Sequence, residues 1–319
     1  MSKKKLKVKA NKTYPLNQCL LYKVPSLKKL CVILKITKEE LLTLMADSES
    51  NGLYNCYENK EGRLIQEPRD LMYVVHNRIA NLLSRVKTPD YIHYSKKGHS
   101  HISNAEVHLD SNQLMTFDIK SYYPSISSEL IRKFFRHKLK CEQDIAYLLS
   151  KLCTIDGSLP TGSQISVYLC NLVNLDMFNE MKLQCDRFNH KFTVYADDIT
   201  ISGESVNESH YNVMRKILER YGYEIKESKT KRYTSNQTPI VTGIALTKNL
   251  DAKNDFYKQL RQLCDDINFI IDNASYAQLK DEYYSLKGKA QYLKQLQQKV
   301  PEFVFTTQAR LEKKLEGQI

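Results

Sequence analysis

Two adjacent carboxylates, Asp197 and Asp198, stand between two short runs of alternating β-branched and aromatic residues, Lys191-Phe192-Thr193-Val194-Tyr195 and Ile199-Thr200-Ile201-Ser202-Gly203. The alternation predicts strand, turn, strand, with the acids at the tip of a hairpin. Adjacent anions repel, and a fold tolerates them best beside a cation; hard oxygen ligands of this kind suit Mg²⁺. Asp is also a favoured turn residue, so a bare Asp-Asp pair reads more readily as a polar turn. A third carboxylate tips the balance. Asp118 lies in Leu114-Met115-Thr116-Phe117-Asp118-Ile119, expected to be a buried strand, and an acid there is costly unless paired or metal-bound. Two strands that each deliver acid at their ends can converge on a two-metal site, the arrangement of phosphoryl or nucleotidyl transfer.

The elements that must position these acids follow from pattern. Ser26 is a candidate cap for a first short helix, and Thr37-Lys38-Glu39-Glu40 is a capping box opening a second. Residues 53–66 alternate around Gly62 and predict a hairpin whose second strand carries Arg63. Pro68 is expected to open a long helix with Leu71, Val74, Val75, Ile79, Leu82 and Leu83 at helical spacing. After Asp118, helices are expected around 128–139 and 142–153. Leu159-Pro160-Thr161-Gly162-Ser163-Gln164 then leads into a long helix through Ile165, Tyr168, Leu172 and Leu175. A helix over 206–221 follows the acidic hairpin, then a strand-to-loop stretch Tyr223–Thr230 and a short strand from Ile240 to Leu246. The order from Leu114 is β, α, α, β, β, α, β, β, an antiparallel α+β pattern of ferredoxin-like type. From residue 252 two apolar stripes, through Phe256, Leu260, Leu263, Ile267, Ile270 and through Leu279, Tyr283, Leu286, Ala290, Leu293, predict a helical C-terminal subdomain; Pro301 precedes a last helix over 305–316.

The chain has 319 residues and a net charge of +12. Residues 1–100 hold 19 Lys and Arg against 9 Asp and Glu, and six of the lysines fall in residues 1–14. A polyanion partner is the natural inference, with residues 1–25 as a basic arm able to meet phosphates without sequence preference; a solubilising tail is the alternative. The eight cysteines are too widely spaced for a zinc ribbon or a redox Cys-x-x-Cys pair. His93, His99, His101 and His108 make a zinc site imaginable, but no cysteine sits nearby. The absence of a long apolar run and of an apolar leader gives a cytoplasmic expectation, with no membrane partner.

Phe117-Asp118-Ile119-Lys120-Ser121-Tyr122-Tyr123-Pro124-Ser125 followed by Tyr195-Ala196-Asp197-Asp198 resembles the two metal-binding motifs of reverse transcriptases. Asn104-Ala105-Glu106-Val107-His108 and Val241-Thr242-Gly243 resemble boxes of the bacterial retron branch, and all four occur in that family's order over roughly residues 25 to 250. The resemblance implies a right-hand polymerase: basic arm 1–25, N-terminal helices and fingers 26–113, palm 114–250 with finger helices inserted near 128–158, and a helical thumb 251–319. It implies Asp118, Asp197 and Asp198 as catalytic, these three with Ile119 as ligands of two Mg²⁺ ions, and dNTP contacts from Arg63 (Lys60 second), Ile119, Tyr123, Gly162 and Lys229. Tyr123 would pack under the sugar and reject a 2′-hydroxyl, amides from Ile119 to Tyr122 would cradle the triphosphate, Tyr122 would be core, and Lys229 would serve the pyrophosphate leaving group. Asn104, His108, Val241, Thr242 and Gly243 would contact RNA, or Asn104 and His108 would serve a structural role.

Thr161 departs from the family's Leu-Pro-Gln-Gly, with Gln164 as a substitute, and Ile165-Ser166 replaces a small residue followed by Pro. The implied partners are a cognate structured non-coding RNA serving as template and primer, an RNA-linked single-stranded DNA product primed from a guanosine 2′-hydroxyl, and a separate effector in anti-phage defence. No length is left for a fused effector or endonuclease. Another defence-type reverse transcriptase with different priming, and an RNA-binding scaffold that restrains an effector, stay open.

Overall fold

The computed structural model describes residues 13–46 and 51–316, so most of the lysines of the expected basic arm lie outside the described residues. The end of that stretch belongs to the fold: Cys19, Leu21 and Val24 are buried, and the Tyr14 hydroxyl donates to Leu82 O at 2.6 Å. The chain divides into two compact units, one of residues 1–100, 116–201 and 206–231, the other of 101–115, 202–205 and 232–319.

The first unit opens with α1 (Leu27–Leu34) and α2 (Lys38–Ala46). Ser26 Oγ accepts from Lys29 N, and the capping box of α2 is complete: Thr37 Oγ1 accepts from Glu40 N at 3.1 Å and Glu40 Oε2 from Thr37 N at 2.7 Å. The antiparallel hairpin β1 (Tyr54–Glu58) and β2 (Leu64–Pro68) turns on Asn59, whose Oδ1 accepts from the amides of Glu61 and Arg63. Arg63 therefore sits in the turn rather than in the second strand, and Pro68 ends β2 rather than opening α3 (Asp70–Leu83). Helix α4 (His101–Glu106) begins the second unit. Strand β3 (Gln113–Asp118) is buried along most of its length, as expected.

Beyond β3 come α5 (Tyr122–Ser125), α6 (Ser128–Lys133) with a π-helical turn over Phe134–Lys138, and α7 (Gln143–Leu152). The expected single helix after Gly162 is two, α8 (Ser166–Val173) and α9 (Leu175–Asp186), parted at Asn174. The reason is polar: Asn174 Nδ2 donates to the Tyr122 hydroxyl and to Cys170 O, and its Oδ1 accepts from the Tyr223 hydroxyl, a set that holds this residue off helical register. The acidic hairpin follows as β4 (Lys191–Tyr195) and β5 (Asp198–Gly203), then α10 (Glu208–Arg220) and β6 (Lys231–Tyr233); the sheet order is β4-β5-β3-β6.

The second unit carries β7 (Ile240–Val241), β8 (Ile244–Leu246) and β9 (Leu250–Ala252), an antiparallel sheet, then α11 (Asn254–Ile270), α12 (Tyr276–Gln295) and α13 (Glu302–Glu316). Both predicted stripes face one core, with Leu260, Ile267, Leu279, Leu286 and Leu293 fully buried. The expected strand Ile240–Leu246 is a hairpin instead. Thr242 and Gly243 take φ of +44° and +88°, the two consecutive left-handed residues of a primed turn. A β-branched residue disfavours that conformation, and the Thr242 hydroxyl offsets it by donating to His101 O at 2.8 Å. The result is a mixed helix-and-sheet protein with antiparallel sheets, in which no described helix is long and apolar enough to cross a membrane.

In the first unit a buried histidine ties α3 to the end of α7 and the loop beyond it. His76 on α3 is fully buried, with Nε2 2.6 Å from Leu152 O and Nδ1 2.6 Å from Ser163 Oγ. A carbonyl only accepts, so Nε2 carries the proton and Nδ1 accepts from Ser163. This neutral tautomer satisfies the ring, and burial pushes its pKa down to about 4 from 6.5. The unfolded chain thus binds the proton first, and stability present above pH 6.5 is lost between pH 6.5 and 4, by about 3 kcal/mol from this group. His93, pushed down to about 4 by burial and next by His99, adds to the same window. Urea midpoints measured across pH 7 to 4.5 are expected to fall steadily, and His76→Asn to flatten that fall while lowering stability at pH 7.

Candidate active site

The acidic hairpin turns on two residues, Ala196 and Asp197. Ala196 takes φ +58°, the left-handed conformation that a tight hairpin requires at its first turn position and that costs a non-glycine residue about 1 kcal/mol. The turn presents its carbonyl inward: Asp197 O accepts from Ile119 N at 3.0 Å. On the other side of the same strand end, Lys226 N donates to Asp118 O at 2.8 Å and Lys120 N to Glu224 O at 2.9 Å, around a bridge between Ile119 and Ile225. Main-chain hydrogen bonds alone therefore fix Asp118 between the hairpin turn and the segment 224–226.

The electrostatics are strained. Asp118 is 3% exposed, and its Oδ2 accepts from Lys229 Nζ at 2.5 Å. Burial, then the charge of Asp118, hold Asp197 above the usual carboxylate range; burial, then Asp197 and Asp118, push Asp198 up to about 6. The hydrogen bond to Asp118 raises Lys229 in turn. Three acids thus face one ammonium. Among the described residues no group of three or more His, Cys, Asp or Glu is gathered closely enough to hold a metal ion as it stands. The donor chemistry nevertheless fits a divalent cation: hard carboxylate oxygens with negative charge in excess of the single lysine.

A cleft of about 590 Å³ opens on these groups, lined by Asp118, Ile119, Tyr123, Asp197 and Lys229, and across from them by Arg63, Ile65 and Thr161. Arg63 is exposed and lies 3.6 Å from Glu61. Lys60 is exposed in the turn and does not line the cleft. Tyr122 is core, its hydroxyl donating to Cys170 O, while Tyr123 faces the cleft. The expected amide cradle is smaller than foreseen, because the amides of Ile119 and Lys120 are taken by Asp197 and Glu224; those of Ser121 and Tyr122 are left.

Gly162 does approach a backbone closely, but that backbone is β2: a Cβ there would meet Gln66 O and Ile65 Cγ2 at 2.9 Å. Thr161 Oγ1 donates to Leu64 O at 2.5 Å, so its side chain serves the same packing. Lys226 lines the cleft and was missed; its sign in the sequence is its place three residues before Lys229 in the same short loop.

The RNA-directed group falls in the other unit. Asn104 and His108, expected either to contact RNA or to serve a structural role, are both buried. His108 Nδ1 lies 2.7 Å from Ser202 Oγ. Val241 is buried, and Thr242-Gly243 is the turn tied to His101. That bond ties the Val-Thr-Gly turn to the first residue of α4, the helix that carries Asn104. The His93 and His99 rings meet edge to face with centroids 4.7 Å apart.

The family model for reverse transcriptase (RNA-dependent DNA polymerase) matches residues 57–280. The chain belongs to the reverse transcriptase family. Its curated relatives include the Retron Se72 reverse transcriptase of Salmonella heidelberg (strain 579083-10), 28% identical over 182 residues that cover 54% of this chain and 47% of the relative. The Retron Ec86 reverse transcriptase of Escherichia coli is 24% identical over 206 residues, 63% of this chain and 64% of the relative. The Retron Mx65 reverse transcriptase of Myxococcus xanthus is 24% identical over 222 residues, 63% and 52%. The chain thus spans between about half and two thirds of the length of these relatives. Reverse transcriptases in general work with divalent metal ions, in keeping with the donor set of this hairpin.

Two outcomes follow from the packing and the charge. Gly162→Ala is expected to lower stability by about 1–3 kcal/mol, because the carbonyl of Gln66 that it meets is backbone and cannot swing aside. Asp198→Asn, melted in chelator at neutral pH, is expected to be more stable than wild type by on the order of 1 kcal/mol after solvent screening, since it removes one of three mutually repelling charges. Thermal melts read both.

Proposed function

We propose that the protein is an RNA-directed DNA polymerase of the retron type, copying a cognate non-coding RNA into RNA-linked single-stranded DNA. The observation that carries the reading is the backbone-fixed convergence of Asp118 with Asp197, beside Asp198, on a cleft that Arg63, Lys226 and Lys229 also line. In this reading residues 26–113 are fingers, 114–250 a ferredoxin-like palm and 251–319 a thumb. Asp118, Asp197 and the Ile119 carbonyl would hold two Mg²⁺ ions, with Asp198 supporting. Bound there, the ions would lower the pKa of the attacking hydroxyl and neutralise charge on the leaving oxygen.

The chain's own residues do the rest. Arg63, Lys226 and the Ser121 and Tyr122 amides draw the triphosphate into the cleft. Tyr123 packs against the sugar. Lys229, once drawn from Asp118, holds its proton at Nζ beside the departing pyrophosphate. Asn104 and His108 act on RNA from within, by bracing the surface that Thr242-Gly243 forms. The product acts in anti-phage defence beside a separate effector protein.

The test is incorporation of dNTP on a primed RNA template with Mg²⁺, together with nucleic acid that copurifies from the native host, digested with RNase and with DNase. A discrete DNA whose mobility shifts after RNase is expected, and Asp118→Asn or Asp197→Asn is expected to abolish both it and incorporation. Copurifying RNA without any DNA synthesis would replace the reading with an RNA-binding scaffold. DNA free of RNA would replace it with a different priming chemistry.

A further inference from the structure

Tyr94 meets Tyr123 from a segment whose histidines alone stood out in the sequence. Residues 91–93 run beside β4: Val194 N donates to Tyr91 O at 2.8 Å, and His93 N donates to Val194 O at 2.9 Å. This parallel pairing delivers Tyr94 to Tyr195, the first residue of Tyr-Ala-Asp-Asp, where the two rings meet edge to face with centroids 5.2 Å apart. On its other side, buried Asn171 of α8 donates Nδ2–H to Tyr94 O at 3.1 Å. Backbone and ring of Tyr94 are thereby fixed from two elements. Its hydroxyl accepts from the hydroxyl of Tyr123 at 3.2 Å.

We propose that Tyr94 is a positioning residue for sugar selection: it anchors the far end of the Tyr123 ring, so that discrimination against a ribonucleotide depends on Tyr94 as well as on Tyr123. The inference rests on the reading of the cleft as a deoxynucleotide site. A ring rejects a 2′-hydroxyl only if it cannot yield, and the difference between the two sugars is a single oxygen atom. Tyr123 stands on α5, a helix of four residues entered through Ser121 at φ +48°, which is a weak mount for a rigid wall. The hydroxyl–hydroxyl bond connects that wall to the catalytic hairpin itself. Selection of the sugar and placement of Asp197 are then set by the same strand, β4, one through the Tyr94–Tyr195 contact and one through the turn.

The experiment is single-nucleotide incorporation of a dNTP and its matched rNTP by wild type, Tyr94→Phe, Tyr123→Phe, the double variant and Tyr123→Ala, with melts on each. Tyr94→Phe is expected to lower the ratio of kcat/KM for dNTP over rNTP about five- to tenfold, the effect of one neutral hydrogen bond, chiefly by raising rNTP use. Tyr123→Phe removes the same bond from the other side, so it should lower the ratio equally, and the double variant no further. Tyr123→Ala should lower it most. A ratio unchanged in Tyr94→Phe while Tyr123→Ala collapses it overturns the proposal, as do losses that add in the double variant. A ratio unchanged in Tyr123→Ala removes the ring as selector and the proposal with it. Failure of wild type to incorporate any dNTP is the separate result that sinks the cleft reading itself.

Discussion

Three carboxylates share a site where one of them has almost no contact with water, and a single lysine answers them. Left to electrostatics alone the group would separate or take up protons, and the raised pKa values of Asp197 and Asp198 measure that tendency. What keeps them together is main chain. The bonds from Ile119, Lys120 and Lys226 run to the turn carbonyl of Asp197, to Glu224 and to Asp118 itself, and none uses an acidic side chain. The repulsion is therefore held by the sheet and answered only in part, by Lys229 on Asp118.

The opposite wall of the cleft is built by close approach. Gly162 lets the loop after α7 press on β2, Thr161 fastens it to Leu64 O, and His76 fastens the next residue but one through Ser163. The two hydrogen bonds run through neutral groups, a threonine hydroxyl and a buried imidazole, so salt does not screen them. Arg63 sits at the end of this rigid wall on an exposed turn, with only a loose partner in Glu61. A stiff wall ending in a free cation is a sensible way to meet a highly charged ligand, because the charge can move while its mount does not.

Much of this was legible in the chain. The capping box at Thr37, the hairpin around Gly62, the buried strand ending in Asp118 and the two apolar stripes after residue 252 are all local patterns, and the structure reproduces each. What escaped depends on partners distant in sequence. Asn174 breaks a helix because two tyrosines, 52 and 49 residues away, compete for its amide. Thr242 accepts a left-handed turn because His101 O, 141 residues away, takes its hydroxyl. For Asn104 and His108 the resemblance left RNA contact and a structural role both open, and no local pattern marked that both are interior. Lys226 and Tyr94 carry no pattern of their own.

One short stretch shows how those distant partners serve the acids. Asn171 and Asn174 lie three residues apart at the end of α8, and both are buried. Asn171 holds the backbone of Tyr94, which meets the acidic hairpin through Tyr195. Asn174 joins Tyr122, four residues past Asp118, to Tyr223, just before Glu224. The segment after Asp118 and the segment 224–226, already paired by main chain, are thus tied a second time by side chains, through one amide. A buried amide with its partners satisfied is directional in a way that apolar packing is not, so it fixes where each tyrosine ends as well as that it is buried. The helix breaks at Asn174 because that residue serves the cleft floor, and a continuous α8–α9 helix would leave Tyr122 and Tyr223 to find separate partners.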